Sequence, residues 1–302
     1  MSEQQNFKAG YVAIIGEPNV GKSTLMNALI GQKISIVTNK PQTTRHKILG
    51  IYSQKDVQII FLDTPGLLKP KYLLHEAMMK FAQSAIEDAD VVLFMIEAND
   101  PKMSKEIEHE LAFQKLKTLQ KPVYLIINKV DTVKKHEILP VIAFYSEKYP
   151  FKEIFPISAM KSEGTDALIT TIAKELPEHV PYYPLDVVSE HSERFFVSEI
   201  IREKIFQKFK EEIPYSTTVE IIEFKEQKGK KDVISAEIYV ERESQKGILI
   251  GKKGAALKDV GQVARKDIEK FLERPVFLEL HVKVRENWRE QEEWLKRLGY
   301  KS

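Results

Sequence analysis

The chain has 302 residues, 43% of them hydrophobic and 30% charged, with a formal net charge of +2. It has no cysteine, which excludes disulfides and Cys-ligated metals, and no apolar run approaches the ~20 residues that cross a bilayer as a helix. The near-balance of charge excludes a nucleic-acid site built on overall basicity, so any such site must come from local clustering.

Residues 1–8 hold no apolar signal region, which predicts a cytoplasmic protein. The first strand is expected over residues 10–15, where Tyr11 to Ile15 is an unbroken apolar run. It leads into Gly16-Glu17-Pro18-Asn19-Val20-Gly21-Lys22-Ser23, a phosphate-binding loop placed between a strand and a helix. The glycines let several backbone N–H groups face one anion, and the helix N-terminus adds partial positive charge. Lys22 is placed to reach β/γ oxygens and Ser23 to ligate Mg²⁺. Thr24 opens the helical spacing expected over 22–29 and counts with the loop as a phosphate contact.

Strands over 47–53 and 57–63 follow, and the second ends on Asp63-Thr64-Pro65-Gly66. An aspartate there can hold Mg²⁺ through water, and the Gly66 N–H can reach a γ-phosphate. The residue after it is Leu67, which offers no hydrogen bond to an attacking water. Strands are further expected over 91–97, 123–128 and 153–157, with helices over 75–86, 105–119, 138–148 and 164–175. The alternation predicts three layers around a mainly parallel six-stranded sheet, with ligands beyond the carboxyl ends of the strands. Asn128-Lys129-Val130-Asp131 lies at one such end. The Asp131 carboxylate can accept from the N1–H and exocyclic amine of guanine, a donor pair that adenine lacks. Ser158-Ala159-Met160 follows the last strand and offers backbone N–H groups to the base.

Three prolines, Pro177, Pro181 and Pro184, mark a break. The domain reading is 1–176, a linker over 177–191, and a second domain over 192–302. The second domain reads as a long helix over 193–213 ended by Pro214, and strands over 217–226 and 233–243 joined by a turn at 229–232. A short helix then leads to Gly251, followed by a helix over 255–272, a strand over 276–285, and a helical tail carrying Trp288 and Trp294. Gly251-Lys252-Lys253-Gly254 sits between two helices. Such a loop lets a nucleic-acid backbone approach, with lysines pairing to phosphates. Ile248 and Ile250 before it, and Lys258 after it, complete the candidate RNA surface. Arg265, Lys266 and Lys270 read equally well as a solvated helix face, and the two tryptophans as packing.

The four nucleotide motifs occur in the order seen in translation-factor-type GTPases. The α-β-β-α-α-β order with the glycine loop resembles a bacterial, type II KH domain. A P-loop GTPase domain followed by one KH domain resembles the Era family, as do Gly31-Gln32-Lys33-Ile34-Ser35 and Gln42-Thr43-Thr44-Arg45-His46. That resemblance implies a GTP/GDP switch with Mg²⁺ held by Ser23, Asp63 and a switch threonine. Thr43 and Thr44 both remain open for that role, with Thr44 preferred. It implies catalysis through Lys22, Thr44 and Gly66, with slow intrinsic turnover given Leu67. It also implies binding of the 16S rRNA 3′ end, assembly of the 30S subunit, a monomer, and peripheral association with the inner membrane.

Overall fold

The computed structural model describes residues 7–99, 113, 116–227 and 229–300. They fall into two units. One comprises Met1–Ser35, Thr44–Lys69 and Met78–Glu190, and the other Ile36–Thr43, Pro70–Ala77 and His191–Ser302.

The first unit is built on a six-stranded sheet of β1 (Lys8–Gly16), β2 (Ile48–Ser53), β3 (Val57–Asp63), β4 (Val91–Glu97), β5 (Val123–Asn128) and β6 (Glu153–Pro156). Their order is β2-β3-β1-β4-β5-β6. All neighbours are parallel except β2, which runs antiparallel to β3. Every residue of β3 and β5 is buried. Strands covered on both faces read as continuous apolar runs, which is why they stand out in the sequence. The chain leaves β1 toward β3 on one side and later returns to β4 on the other. β1 is therefore the switch point, and a crevice opens at its carboxyl end. The exits of β1, β3, β5 and β6 all lie at that end of the sheet.

The described helices are α1 (Lys22–Ile30), α2 (Leu73–Asp88), α3 (Lys135–Lys148) and α4 (Thr165–Glu175). The helix expected over 105–119 lies largely outside the described residues; within it Phe113 and Leu116 are buried in the core. Residues 177–190 are hydrogen-bonded along the first unit. Ala9 N donates to Pro177 O (3.2 Å), Tyr182 N and Tyr183 N to Gln58 Oε1, and Ile51 N to Val188 O (2.9 Å).

The second unit carries α5 (Glu193–Lys208), α6 (Ile213–Ser216), β7 (Thr218–Lys225), β8 (Asp232–Val240), α7 (Glu243–Ile250), α8 (Ala255–Leu272), β9 (Val276–Val284) and α9 (Glu292–Arg297). β7 and β8 are antiparallel, and β8 and β9 parallel. Ser192 caps α5 by accepting from Phe195 N. Val260, Ala264, Ile268 and Leu272, four apart on α8, face the core.

One expectation is corrected here. Helix α5 ends at Lys208 and not at residue 213. Phe209 is extended and Glu211 left-handed (φ 51°), so the chain has left the helix before Pro214. That proline sits in the first turn of α6, where a missing N–H has no helical partner to lose.

The tail is anchored by Trp288, which is 0% exposed and donates its indole N–H to Ser216 O at 2.8 Å. Truncation of a buried aromatic costs about 3–5 kcal/mol. Trp288→Ala is expected to lower the stability of this unit by that amount, read by urea unfolding with the fluorescence of Trp294. A loss under ~1 kcal/mol would remove the indole from the core of the unit.

Candidate functional site

At the exit of β1 the backbone turns through Gly16 (φ 150°), Asn19 (φ 69°) and Gly21 (φ 102°). Gly21 is required on two counts. Its φ is in the left-handed region, and a Cβ there would lie 2.3 Å from Asn128 Nδ2. Glu17, Pro18 and Val20 complete the loop, and Thr24 lies in the first turn of α1. The Lys22 ammonium is folded onto the loop's own carbonyls, at 2.7 Å from Glu17 O and 3.1 Å from Gly16 O. Burial pulls its pKa down to about 8, against the attraction of Asp63 and Glu17. A polyphosphate offers this cation stronger acceptors than two carbonyls do.

Three hard oxygens meet beside it. Ser23 Oγ donates to Asp63 Oδ2 (2.7 Å) and lies 2.8 Å from Thr44 Oγ1. Thr43 turns elsewhere: its hydroxyl donates to Lys40 O (2.7 Å) and meets Thr38 Oγ1 (2.6 Å). Asp63 is fully buried, and burial pushes its carboxyl up against the pull of Ser23, Lys22, Ser35 and Thr44. Its Oδ1 has no hydrogen-bond partner. A buried orphan carboxylate oxygen beside two hydroxyls fits a small oxygen-seeking cation such as Mg²⁺, which takes one or two carboxylates and completes its shell with phosphate and water.

The strand exit is shaped by Thr64, whose hydroxyl donates to Ile14 O at 2.8 Å. After Pro65, Gly66 runs so close to the phosphate loop that a Cβ would stand 2.6 Å from Pro18 N. Leu67 N donates to Gly16 O at 3.0 Å.

At the other end, Asn128 is buried and joins two loops. Its Nδ2 donates to Val20 O (2.8 Å) and its Oδ1 accepts from Ala159 N (2.9 Å). Lys129, left-handed at φ 64°, donates to Asn19 O (2.8 Å) and pairs with Glu97. Asp131 lies exposed in the short turn Val130–Thr132, and the Ser158 hydroxyl holds its carboxyl below the usual range. Ser158 and Ala159 are buried, whereas Met160 is 85% exposed. The expected site residues of the first unit therefore converge on one crevice, with Asn128 facing the loops and Asp131 facing solvent. His46 is half-buried, 6.0 Å from the Phe81 ring.

In the second unit, α7 ends at Gly251 (φ 72°), whose N–H donates to Gly247 O, and Lys253 (φ 53°) and Gly254 (φ 77°) complete a tight turn into α8. Lys252, Lys253 and Lys258 are exposed, Ile248 is 51% exposed and Ile250 half-buried. A Cβ on Gly251 would meet Ala256 Cβ at 2.6 Å, whereas one on Gly254 would meet nothing within 4 Å. The loop thus presents two cations and an apolar flank. Arg265, Lys266 and Lys270 stay exposed on α8. Trp294 is covered by the guanidiniums of Arg285 and Arg297, at 4.7 and 4.8 Å.

Sequence reasoning missed Asn27 and Ser35. Asn27 Oδ1 accepts from Ile34 N (2.9 Å) and Ser35 N (2.8 Å), and its Nδ2 donates to Ser35 O (2.8 Å). The available signal was an asparagine inside a helix, where it propagates poorly unless its side chain is engaged elsewhere. Also missed was His75, whose Nε2 lies 3.0 Å from Gln42 Oε1 within the second unit.

Comparison with known proteins agrees with this layout. Residues 11–129 match the family model described as 50S ribosome-binding GTPase, and residues 212–289 that of the KH domain. The chain is 49% identical to GTPase Era of Geobacter metallireducens over 97% of its own length and 98% of that protein. It is 48% identical to chloroplastic GTPase ERA1 of Zea mays over 98% of its length and 71% of that protein. Among solved structures, Era from Aquifex aeolicus bound to GDP and AlF4⁻ superposes with a TM-score of 0.93 at 44% identity, covering 98% of this chain and 100% of that one. Era in complex with MgGDPNP and nucleotides 1506–1542 of 16S ribosomal RNA has the same score, identity and coverage.

Asn128→Ala leaves the Val20 carbonyl and the Ala159 N–H unpaired in a buried setting, at about 1–3 kcal/mol per group. The expected outcome is a fall of several degrees in the Tm of the ligand-free protein, with Asn128→Asp also lowered because it sets a carboxylate against the Val20 carbonyl. An unchanged Tm in Asn128→Ala would show that the carboxamide does not join the loops.

Proposed function

The chain belongs to the Era family of GTPases, and from that premise we propose that it is a GTP-hydrolysing switch whose KH domain binds the 3′ end of 16S rRNA. The observation that carries the nucleotide half is the meeting of Ser23, Thr44 and the orphan oxygen of Asp63 beside Lys22. In this reading the phosphate loop, residues 16–24, wraps the phosphates with its N–H groups. Lys22 leaves its carbonyls for the β/γ oxygens, and Gly66 turns its N–H to the γ-phosphate. Ser23, Thr44 and Asp63 would hold Mg²⁺, which would supply charge neutralisation at the phosphates. Asp131 takes the guanine N1–H and amine, with Ala159 and Met160 beside the base, while Asn128 and Lys129 keep the loops in place. Leu67 contributes no hydrogen bond from its side chain, so water orientation falls to other groups and intrinsic turnover is slow.

The RNA half rests on the exposed Lys252, Lys253 and Lys258 around a glycine turn flanked by Ile248 and Ile250. We extend the proposal to assembly of the 30S subunit by a cytoplasmic monomer, with peripheral contact at the inner membrane. No helix among the described residues is long and apolar enough to cross a membrane.

Two measurements test this reading. Asp131→Asn exchanges one acceptor for a donor, so GTP affinity is expected to fall and preference to move toward xanthosine triphosphate, where a carbonyl replaces the amine. Unchanged selectivity among GTP, ATP and XTP would remove Asp131 from the base site. The paired substitution Lys252→Ala and Lys253→Ala is expected to weaken single-stranded 16S 3′-end RNA and to flatten its log K against log salt slope by about 1.4, or ~0.7 per lost phosphate contact. GTP affinity stays at the wild-type value. RNA binding and salt slope both at wild type would overturn the KH assignment as a functional one. The lysines make a cleaner test than Gly251, because a side chain there strains the loop against Ala256 before any RNA arrives.

A further inference from the structure

Ser35 sits in the first unit, 1% exposed, and its Oγ has no hydrogen-bond partner. Its backbone is fixed. Asn27 clamps residues 34 and 35 with three hydrogen bonds, and Ile34 is wedged over Gly50, where even a Cβ would stand 2.6 Å from Ile34 Cδ1. Asn27 lies four residues after Ser23 on α1, so the two side chains leave the helix on one face. Ser23 holds Asp63 Oδ2 and Asn27 holds Ser35. The same helix face therefore holds both the Asp63 carboxylate and the backbone of Ser35, and Ser35 is among the side chains that act on the Asp63 carboxyl. It helps to hold that carboxyl down, while Ser35 Oγ and Asp63 Oδ1 are each buried without a geometrically closed hydrogen bond.

A buried hydroxyl without a partner is costly, and alanine in its place would avoid that cost. Here two buried polar atoms are unpaired in one corner, one a potential donor and the other an acceptor. The donor stands on a rigid backbone with a freely rotating O–H. We propose that Ser35 is a positioning residue of the metal site: in the Mg²⁺- and nucleotide-loaded protein its hydroxyl donates to one lone pair of Asp63 Oδ1, leaving the other free for the cation's shell, and fixes the rotation of the carboxylate. This inference rests on the reading of Ser23, Thr44 and Asp63 as the Mg²⁺ site.

The test measures release of fluorescent mant-GDP against Mg²⁺ concentration, with the melting temperature of the nucleotide-free protein in EDTA. Ser35→Ala is expected to raise the Mg²⁺ concentration for half-maximal retention about tenfold. Its nucleotide-free melting temperature is expected to equal or exceed wild type, since no hydrogen bond is lost in that state. Ser35→Thr, which keeps the hydroxyl, restores the wild-type Mg²⁺ midpoint. A merely structural serine gives the opposite pair of results, a lower melting temperature and an unmoved midpoint, and would overturn the proposal. Ser23→Ala is the control. If it leaves the Mg²⁺ dependence unmoved, the metal-site reading itself fails. If it shifts the dependence and Ser35→Ala does not, only the role of Ser35 falls.

Discussion

Two loops at the carboxyl end of the central sheet are joined through one carboxamide. Asn128 leaves the end of β5, donates to the phosphate loop at Val20 O and accepts from Ala159 N after β6. Both bonds are buried, so each is expensive to break. The constraint spreads to its neighbours. Gly21 admits no side chain because the Asn128 amide occupies that space. Lys129 is forced left-handed and closes over Asn19 O. The loop's shape is therefore set by contacts within the protein, which lowers the entropy of ordering it that binding must offset. Lys22 is held within the same loop by the Gly16 and Glu17 carbonyls.

The same physics explains which parts of the fold were legible. Buried parallel strands are mostly apolar on both faces, so residues 11–15 of β1, residues 59–62 of β3, most of β4 and most of β5 appear as unbroken runs, and motif residues directly follow β1, β3 and β5. Turn geometry was legible where glycine or proline enforces it. The end of α5 was not, because the helix stops at Phe209 without either residue and resumes as α6 only after the left-handed Glu211. Thr43 and Thr44 are adjacent and chemically identical, so the sequence only prefers Thr44 without deciding between them. The structure separates them because Thr43 is engaged by Thr38 and Lys40 O, which leaves Thr44 to meet Ser23. Contacts between residues distant in sequence, such as Gln58 with Tyr182 and Tyr183, leave no periodic trace.

Helix α5 shows a further limit. Its amphipathic pattern gives no sign of which charges are covered, yet Glu199, Arg202, Glu203 and Lys204 are all under 8% exposed. Arg202 takes both oxygens of Glu199, and one of its nitrogens also donates to Thr43 O at 2.6 Å. Glu203 accepts from Val37 N at 2.9 Å and from Lys204, which also pairs with Asp267. Lys40 reaches back to the carbonyls of Phe206 and Phe209, the acceptors a helix leaves free at its carboxyl end.

Buried ion pairs of this kind are poor sources of stability, since desolvation offsets most of the attraction. What they supply within the second unit is register. An apolar contact between residues 36–43 and α5 would tolerate sliding, because any methyl can replace another. A guanidinium that needs the Thr43 carbonyl, a carboxylate that needs the Val37 N–H and an ammonium that needs two helix-end carbonyls are satisfied together at a single alignment. Arg202 already carries one unpaired nitrogen, Nη1. A slip of one residue would remove the Thr43 carbonyl as well and leave a buried cation with only Glu199 to answer it. The alignment is therefore enforced by the penalty for leaving it more than by the energy of the contacts themselves.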